Sequence, residues 1–135
     1  MAGFHFLFNA QARDCVATQV EFSPFDERKV AVATAQNFGV AGSGKQYVLH
    51  HEPGKMVAAA SFDTKDGVYD CSWSETNEFH LAFASGDGTV KLWDLKSNKL
   101  LRNWAEHSAE VYSVDWNLVN KVRRSVSLIT LLIVC

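Results

Sequence analysis

VYDCSW at residues 68–73 returns as VYSVDW at residues 111–116, an offset of 43 residues. A weaker copy, ATQVEF at 17–22, stands 51 residues before the first of these. A period of roughly 40–45 residues is that of a four-stranded repeating unit. The longer first interval needs an insertion, and the Gly-rich stretch FGVAGSGK at 38–45 has room for it.

Three further short apolar runs lie between the two strong copies. HLAFAS at 80–85 is followed by GDG at 86–88, a hairpin signal because Asp-Gly tolerates positive φ. TVKLWDL at 89–95 alternates, with Val90, Leu92 and Asp94 on one side and Lys91, Trp93 and Leu95 on the other. KSN at 96–98 is a polar turn, and KLLRNW at 99–104 a fourth strand. The earlier interval reads the same way, with strands at 16–22, 29–35, 46–50 and 56–62 and turns at Ser23-Pro24 and Glu52-Pro53-Gly54. β-Branched residues, aromatics and turn glycines recur every few positions, which disfavours helix. After VYSVDW the pattern stops, with no second strand ending in a Gly-Asp turn and no copy of TVKLWD. The reading is an all-β chain: an arm at 1–13, one four-stranded unit at 14–62 and a second at 63–104. The first strand of a third follows within 105–117, and then a divergent apolar tail at 118–135. A closed ring of even four units needs about 160 residues, so 135 residues make an open array.

Composition narrows the function classes. Hydrophobic residues make up 47% and charged residues 21%, with no long charge run, which is globular. A net charge of −2, and no Lys/Arg cluster interleaved with aromatics, argue against a nucleic-acid surface. Cys15, Cys71 and Cys135 are odd in number and form no CxxC pair, as expected of free thiols in a reducing compartment. MAGFHFLFNAQARD at the N-terminus lacks the basic and long apolar regions of a secretory signal. The ten uncharged residues VSLITLLIVC at 126–135 are half of the roughly 20 a spanning helix needs. A soluble, cytosolic protein is expected, with an aggregation-prone last segment. His5, His50, His51, His80 and His107 show no metal-ligand spacing. Cys71, His107 and Asp115 are the residue types of nucleophilic catalysis, but Cys71 falls inside a predicted inner strand, where a small buried residue is structural. No catalytic residue, metal or cofactor is expected.

LAFASGDGTVKLWD at 81–94 resembles a WD repeat. The resemblance implies a WD40 β-propeller fragment of about two four-stranded antiparallel blades plus the first strand of a third. It also implies a structural hydrogen-bond network, mapped here onto Ser85, Asp87 and Trp93 and physically sensible because a buried indole N–H needs an acceptor. The network's histidine should stand just before Val68, where Thr64, Lys65, Asp66 and Gly67 are found; His107 occupies that place for the third blade. FSPFDERKVAVATAQNFGVAGSGKQYVL at 22–49, DGVYDCSWSE at 66–75 and EHSAEVYSVDWN at 106–117 are more particular. In order and spacing they resemble the family of receptors for the type 2 peroxisomal targeting signal, over roughly residues 14–117. The last 18 residues depart from it, and an alternative splice, a change of frame or an incomplete gene model would each account for them.

The resemblance implies a cytosolic receptor, not an enzyme. It would bind cargo proteins through a short N-terminal signal with a basic residue near one end, and deliver them with an import co-receptor and docking proteins at the peroxisome. Two blades without a closed ring should weaken that activity. A general WD-repeat scaffold, of the ubiquitin-ligase adaptor or histone-binding type, is the rival reading. Propellers usually bind on the rim built by the loops at 63–67, 105–110, 36–45 and 86–88 here, and a cationic signal would be met by carboxylates and aromatics. The candidates are Asp66 and Glu110, just before successive inner strands, Tyr69 and Tyr112, one residue into them, and Gln36, Asn37 and Phe38. Solvated loop acids would look the same in sequence.

Overall fold

The computed structural model describes residues 15–36, 42–116 and 129–132. Among these there is no helix. Strands β1 (Cys15–Phe22), β2 (Lys29–Gln36), β3 (Gly44–Glu52) and β4 (Lys55–Thr64) form one antiparallel sheet in chain order. Strands β5 (Val68–Trp73), β6 (His80–Ser85), β7 (Val90–Asp94) and β8 (Lys99–Trp104) form a second in the same order. β9 (Ser113–Trp116) pairs antiparallel with β10 (Ile129–Leu132). This is the all-β, partial-propeller architecture expected, with one addition. Of the third unit only the first strand was expected, and β10 gives β9 a hydrogen-bonded neighbour.

Local chemistry explains the repetition. The first two inner strands each end in an aromatic followed by serine, and that serine builds the next turn. Ser23 Oγ accepts the N–H groups of Phe25 and Asp26, and Ser74 Oγ those of Thr76 and Asn77. The β6–β7 turn needs Gly88 twice over. Its φ is +83°, and a Cβ there would lie 2.7 Å from the His107 carbonyl oxygen of the loop entering the third sheet.

Alternation then decides which face meets which sheet. Ala31, Ala33, Val48 and Phe62 pack against Val68, Cys71, Trp73, Leu81 and Phe83 in one cluster joining the first two sheets. Val30, Val32, Tyr47, Leu49 and Met56 lie on the other face of the first sheet. Ala82, Ala84 and Val90 face away from the first sheet and pack against Val111, Val114 and Trp116. The small residues of β2 and β6 let consecutive sheets approach closely. Inner strands are stitched as well as packed: Thr18 Oγ1 donates to the Val68 carbonyl at 2.6 Å and Trp73 Nε1 to the Glu21 carbonyl at 2.9 Å.

Val111 and Tyr112 were expected to open the third inner strand, which starts instead at Ser113. Val111 N donates across to the Ser85 carbonyl at 3.2 Å, so this end of the segment is tied to the second sheet and not to a strand partner. Among the described residues no helix is long and apolar enough to cross a membrane.

Burial on the inner strands raises the Glu21 carboxyl from its ordinary 4.5 to about 7, and the nearby carboxylates of Asp70, Asp115 and Glu75 add to the effect. A folded-state pKa above the unfolded one gives stability that is complete below about 4.5 and is lost as pH rises through about 7. The melting temperature of the chain should therefore fall between pH 5 and pH 8. Glu21→Gln should flatten that profile in thermal unfolding by circular dichroism; equal slopes in the two proteins would contradict it.

Candidate functional site

The residues that define the site stand in the two segments that lead into β5 and β9. Asp66 lies in the β4–β5 turn, half-buried, and its Oδ1 accepts the Gly67 N–H at 2.8 Å. That bond fixes the side chain and leaves Oδ2 without a partner among the described residues. Gly86 of the β6–β7 turn comes close enough that a Cβ on it would lie 3.0 Å from both Asp66 Oδ1 and the Tyr69 ring. Tyr69 follows as the second residue of β5. Its ring lies 5.0 Å from that of Tyr112, centroid to centroid, tilted by 32°. Tyr112 is 43% exposed, the outer member of the pair. Burial raises the Tyr69 phenol above its ordinary pKa, followed by the charge of Asp66, the Tyr112 ring and the charge of Glu110. Glu110 is exposed and forms no ion pair among the described residues. Tyr69 and Tyr112 from two successive repeats thus pair on one rim, with Asp66 and Glu110, neither ion-paired among the described residues, both near enough to act on the Tyr69 phenol.

The other candidates do not join them. Gln36 closes its own β2–β3 connection, with its N–H on the Ser43 carbonyl and its Oε1 accepting from Ser43 Oγ at 3.3 Å. Asn37 and Phe38 lie outside the described residues.

The structural network, already incomplete in sequence without a histidine before Val68, is not formed among the described residues. Ser85 Oγ, Trp93 Nε1 and His107 Nε2 are buried without hydrogen-bond partners. Asp87 turns instead to Thr89, accepting from its N–H at 3.0 Å and from its hydroxyl, and to the Lys91 ammonium at 3.3 Å. The register gives the reason. Trp93 stands across from Leu81, and Leu81, Phe83 and Ser85 share one face of β6, so the Phe83 ring separates the indole from the hydroxyl. Trp93 stacks on Phe62 of the first sheet, with centroids 4.2 Å apart.

Cys71 is 1% exposed, and burial, then Glu21 and Asp70, push its thiol well above the ordinary value. It remains a protonated core residue. The opposite rim carries a groove of about 600 Å³ lined by Phe25, Phe79, His80, Asp94 and Lys96 among others. There the ammonium groups of Lys29 and Lys96 already lie 5.8 and 5.6 Å from the Phe79 ring, so its aromatic faces are taken. Sequence reasoning missed Gly86 and Asp70: the close approach of the first and the inter-repeat bonds of the second arise only when separate repeats stack.

A radial succession of four-stranded antiparallel sheets joined through inner strands is the structure of a WD-repeat propeller, and residues 59–94 match the family model described as WD domain, G-beta repeat. Within that class the chain belongs to the family of peroxisomal targeting signal 2 receptors. It is 47% identical over 124 residues to the peroxisomal targeting signal 2 receptor of Dictyostelium discoideum, covering 90% of this chain and 37% of that protein. It is 47% identical to peroxisome biogenesis protein 7 of Arabidopsis thaliana, over 73% of this chain and 32% of that protein. It is 45% identical to the human peroxisomal targeting signal 2 receptor, over 72% of this chain and 30% of that protein. The chain spans about a third of the length of these relatives.

Proposed function

We propose that this chain recognises the basic residue of a type 2 peroxisomal targeting signal between Asp66 and Glu110, over the Tyr69–Tyr112 pair. The observation that carries the reading is the convergence of two carboxylates, neither ion-paired among the described residues, from successive repeats on one aromatic pair. A guanidinium or ammonium group gains charge-assisted hydrogen bonds from such carboxylates and a quadrupole attraction from the rings. The carboxylates of Asp70 and Asp115 along the inner strands add a negative field around the approach, which steers a cation toward the rim. The names of the relatives support the signal type. In this role the chain acts in the cytosol, hands cargo to an import co-receptor and the docking proteins of the peroxisome, and performs no catalysis. With two full blades it holds the signal more weakly than a complete ring.

Calorimetric titration with a synthetic type 2 signal peptide tests this, beside the same peptide with its basic residue replaced by leucine. The basic peptide should bind at least tenfold more tightly, and the advantage should shrink as salt screens it. Equal affinity for the two peptides would remove the reading and leave a general WD-repeat scaffold.

A further inference from the structure

The junction between β5 and β9 is held differently from the one before it. At the first junction the two short stitches end on main-chain carbonyls, from Thr18 to Val68 and from Trp73 to Glu21, and the Glu21 side chain adds only a long contact, its Oε1 accepting the Trp73 N–H at 3.5 Å. At the second a side-chain carboxylate does the work. Asp70 Oδ2 accepts the Ser113 hydroxyl at 3.0 Å and the Val114 N–H at 2.9 Å, while its Oδ1 accepts the Cys71 N–H at 2.8 Å. Both oxygens are thereby engaged and the carboxylate has a single orientation. Asp70 and Ser113 hold the same position in successive repeats, next to Tyr69 and Tyr112 respectively. In the first repeat that position is Gln19, and Thr18 stands where the tyrosines do. The carboxylate clamp occurs where the two tyrosines occur.

We propose that Asp70 is a positioning residue of the cation site. By fixing β9 against β5 it sets the separation of the Tyr69 and Tyr112 rings, and with it the distance between Asp66 and Glu110. Asp70 does not touch the ligand. It acts through the strand that carries Tyr112, in the way that supporting hydrogen bonds hold the groups of a binding site in register. The inference rests on the cation-site reading above, and its test separates the two.

The chain and its Asp70→Asn, Ser113→Ala, Tyr112→Ala and Asp70→Asn/Tyr112→Ala variants are titrated with the basic signal peptide and with its leucine counterpart, and each is melted by circular dichroism. Asp70→Asn is expected to weaken binding of the basic peptide about tenfold and to leave the leucine peptide within twofold. Ser113→Ala, which keeps the Val114 bond, should lose about threefold in the same pattern and guards against a folding failure of the first variant. In the Tyr112→Ala background Asp70→Asn should cost nothing more, which a general loss of stability would not produce. If the unmodified chain prefers the basic peptide and Asp70→Asn and Ser113→Ala keep that preference in full, the positioning role is wrong while the site stands. If both peptides weaken equally, Asp70 serves only the fold. If the unmodified chain shows no preference, the site reading fails and this proposal with it.

Discussion

Trp73→Ala is expected to remove about 3–5 kcal/mol of folding stability, the range for truncating a buried tryptophan. Trp73 is 1% exposed and sits where the first two sheets share their core, among Ala31, Ala33, Val48, Phe62, Leu81 and Phe83. None of these can swing in to fill the space, because they are small or already held between strands, so the cavity persists. The substitution also removes the indole donor of the Glu21 carbonyl and with it one of the three hydrogen bonds between β1 and β5, a loss of about 1 kcal/mol more. Whole domains of this size are stable by only about 5–15 kcal/mol, so the variant should lose about a third or more of its stability. Urea denaturation followed by tryptophan fluorescence measures it. A midpoint within about 1 kcal/mol of the parent chain would show that the sheets do not depend on this face-to-face core.

Reversing both carboxylates, with Asp66→Lys and Glu110→Lys, is expected to weaken binding of the basic signal peptide at least 100-fold. Each charge-assisted hydrogen bond contributes about 1.5–3 kcal/mol, a factor of ten per roughly 1.4 kcal/mol, and two ammonium groups add repulsion. Glu110→Lys is the cleaner single change, since Glu110 has no ion-pair partner to lose among the described residues, whereas Asp66 also holds the Gly67 N–H. About tenfold is expected for it alone, with an unchanged melting temperature. A peptide affinity indifferent to Glu110→Lys would confine the site to the β4–β5 turn.

Where the sequence carried its own punctuation, the fold could be read from it. VYDCSW, HLAFAS and KLLRNW became β5, β6 and β8 with the same end residues, because turn residues bound them on both sides. The alternation in TVKLWDL also carried over: Val90 and Leu92 pack toward β9, and Trp93 and Leu95 toward the first sheet. Features that depend on register between strands were not legible. That Phe83 stands between Ser85 and Trp93 follows from Leu81 facing Trp93 across the hairpin, which no linear spacing reveals. The early tie of Val111 to Ser85, which delays β9 to Ser113, is of the same kind. So is the pairing of Ile129–Leu132 with β9, for which the apolar tail bore no repeat signature. At the site, equivalence between repeats put Tyr69 with Tyr112, 43 residues apart, and their rings lie 5.0 Å apart, whereas Asp66 and Glu110 share only the segments that precede successive inner strands. It could not place Gln36, whose side chain is engaged within its own turn, nor expose Asp70, which looked like any other strand residue.

Carboxylates from neighbouring repeats are proposed to act together on one cation. A charge-swap titration addresses this most directly, pairing the parent chain and the Asp66→Lys/Glu110→Lys variant with the basic signal peptide and with one carrying glutamate at the basic position. The order of preference should invert, the parent taking the basic peptide and the variant the acidic one. The same order of preference in both proteins would mean that these two side chains do not receive the signal.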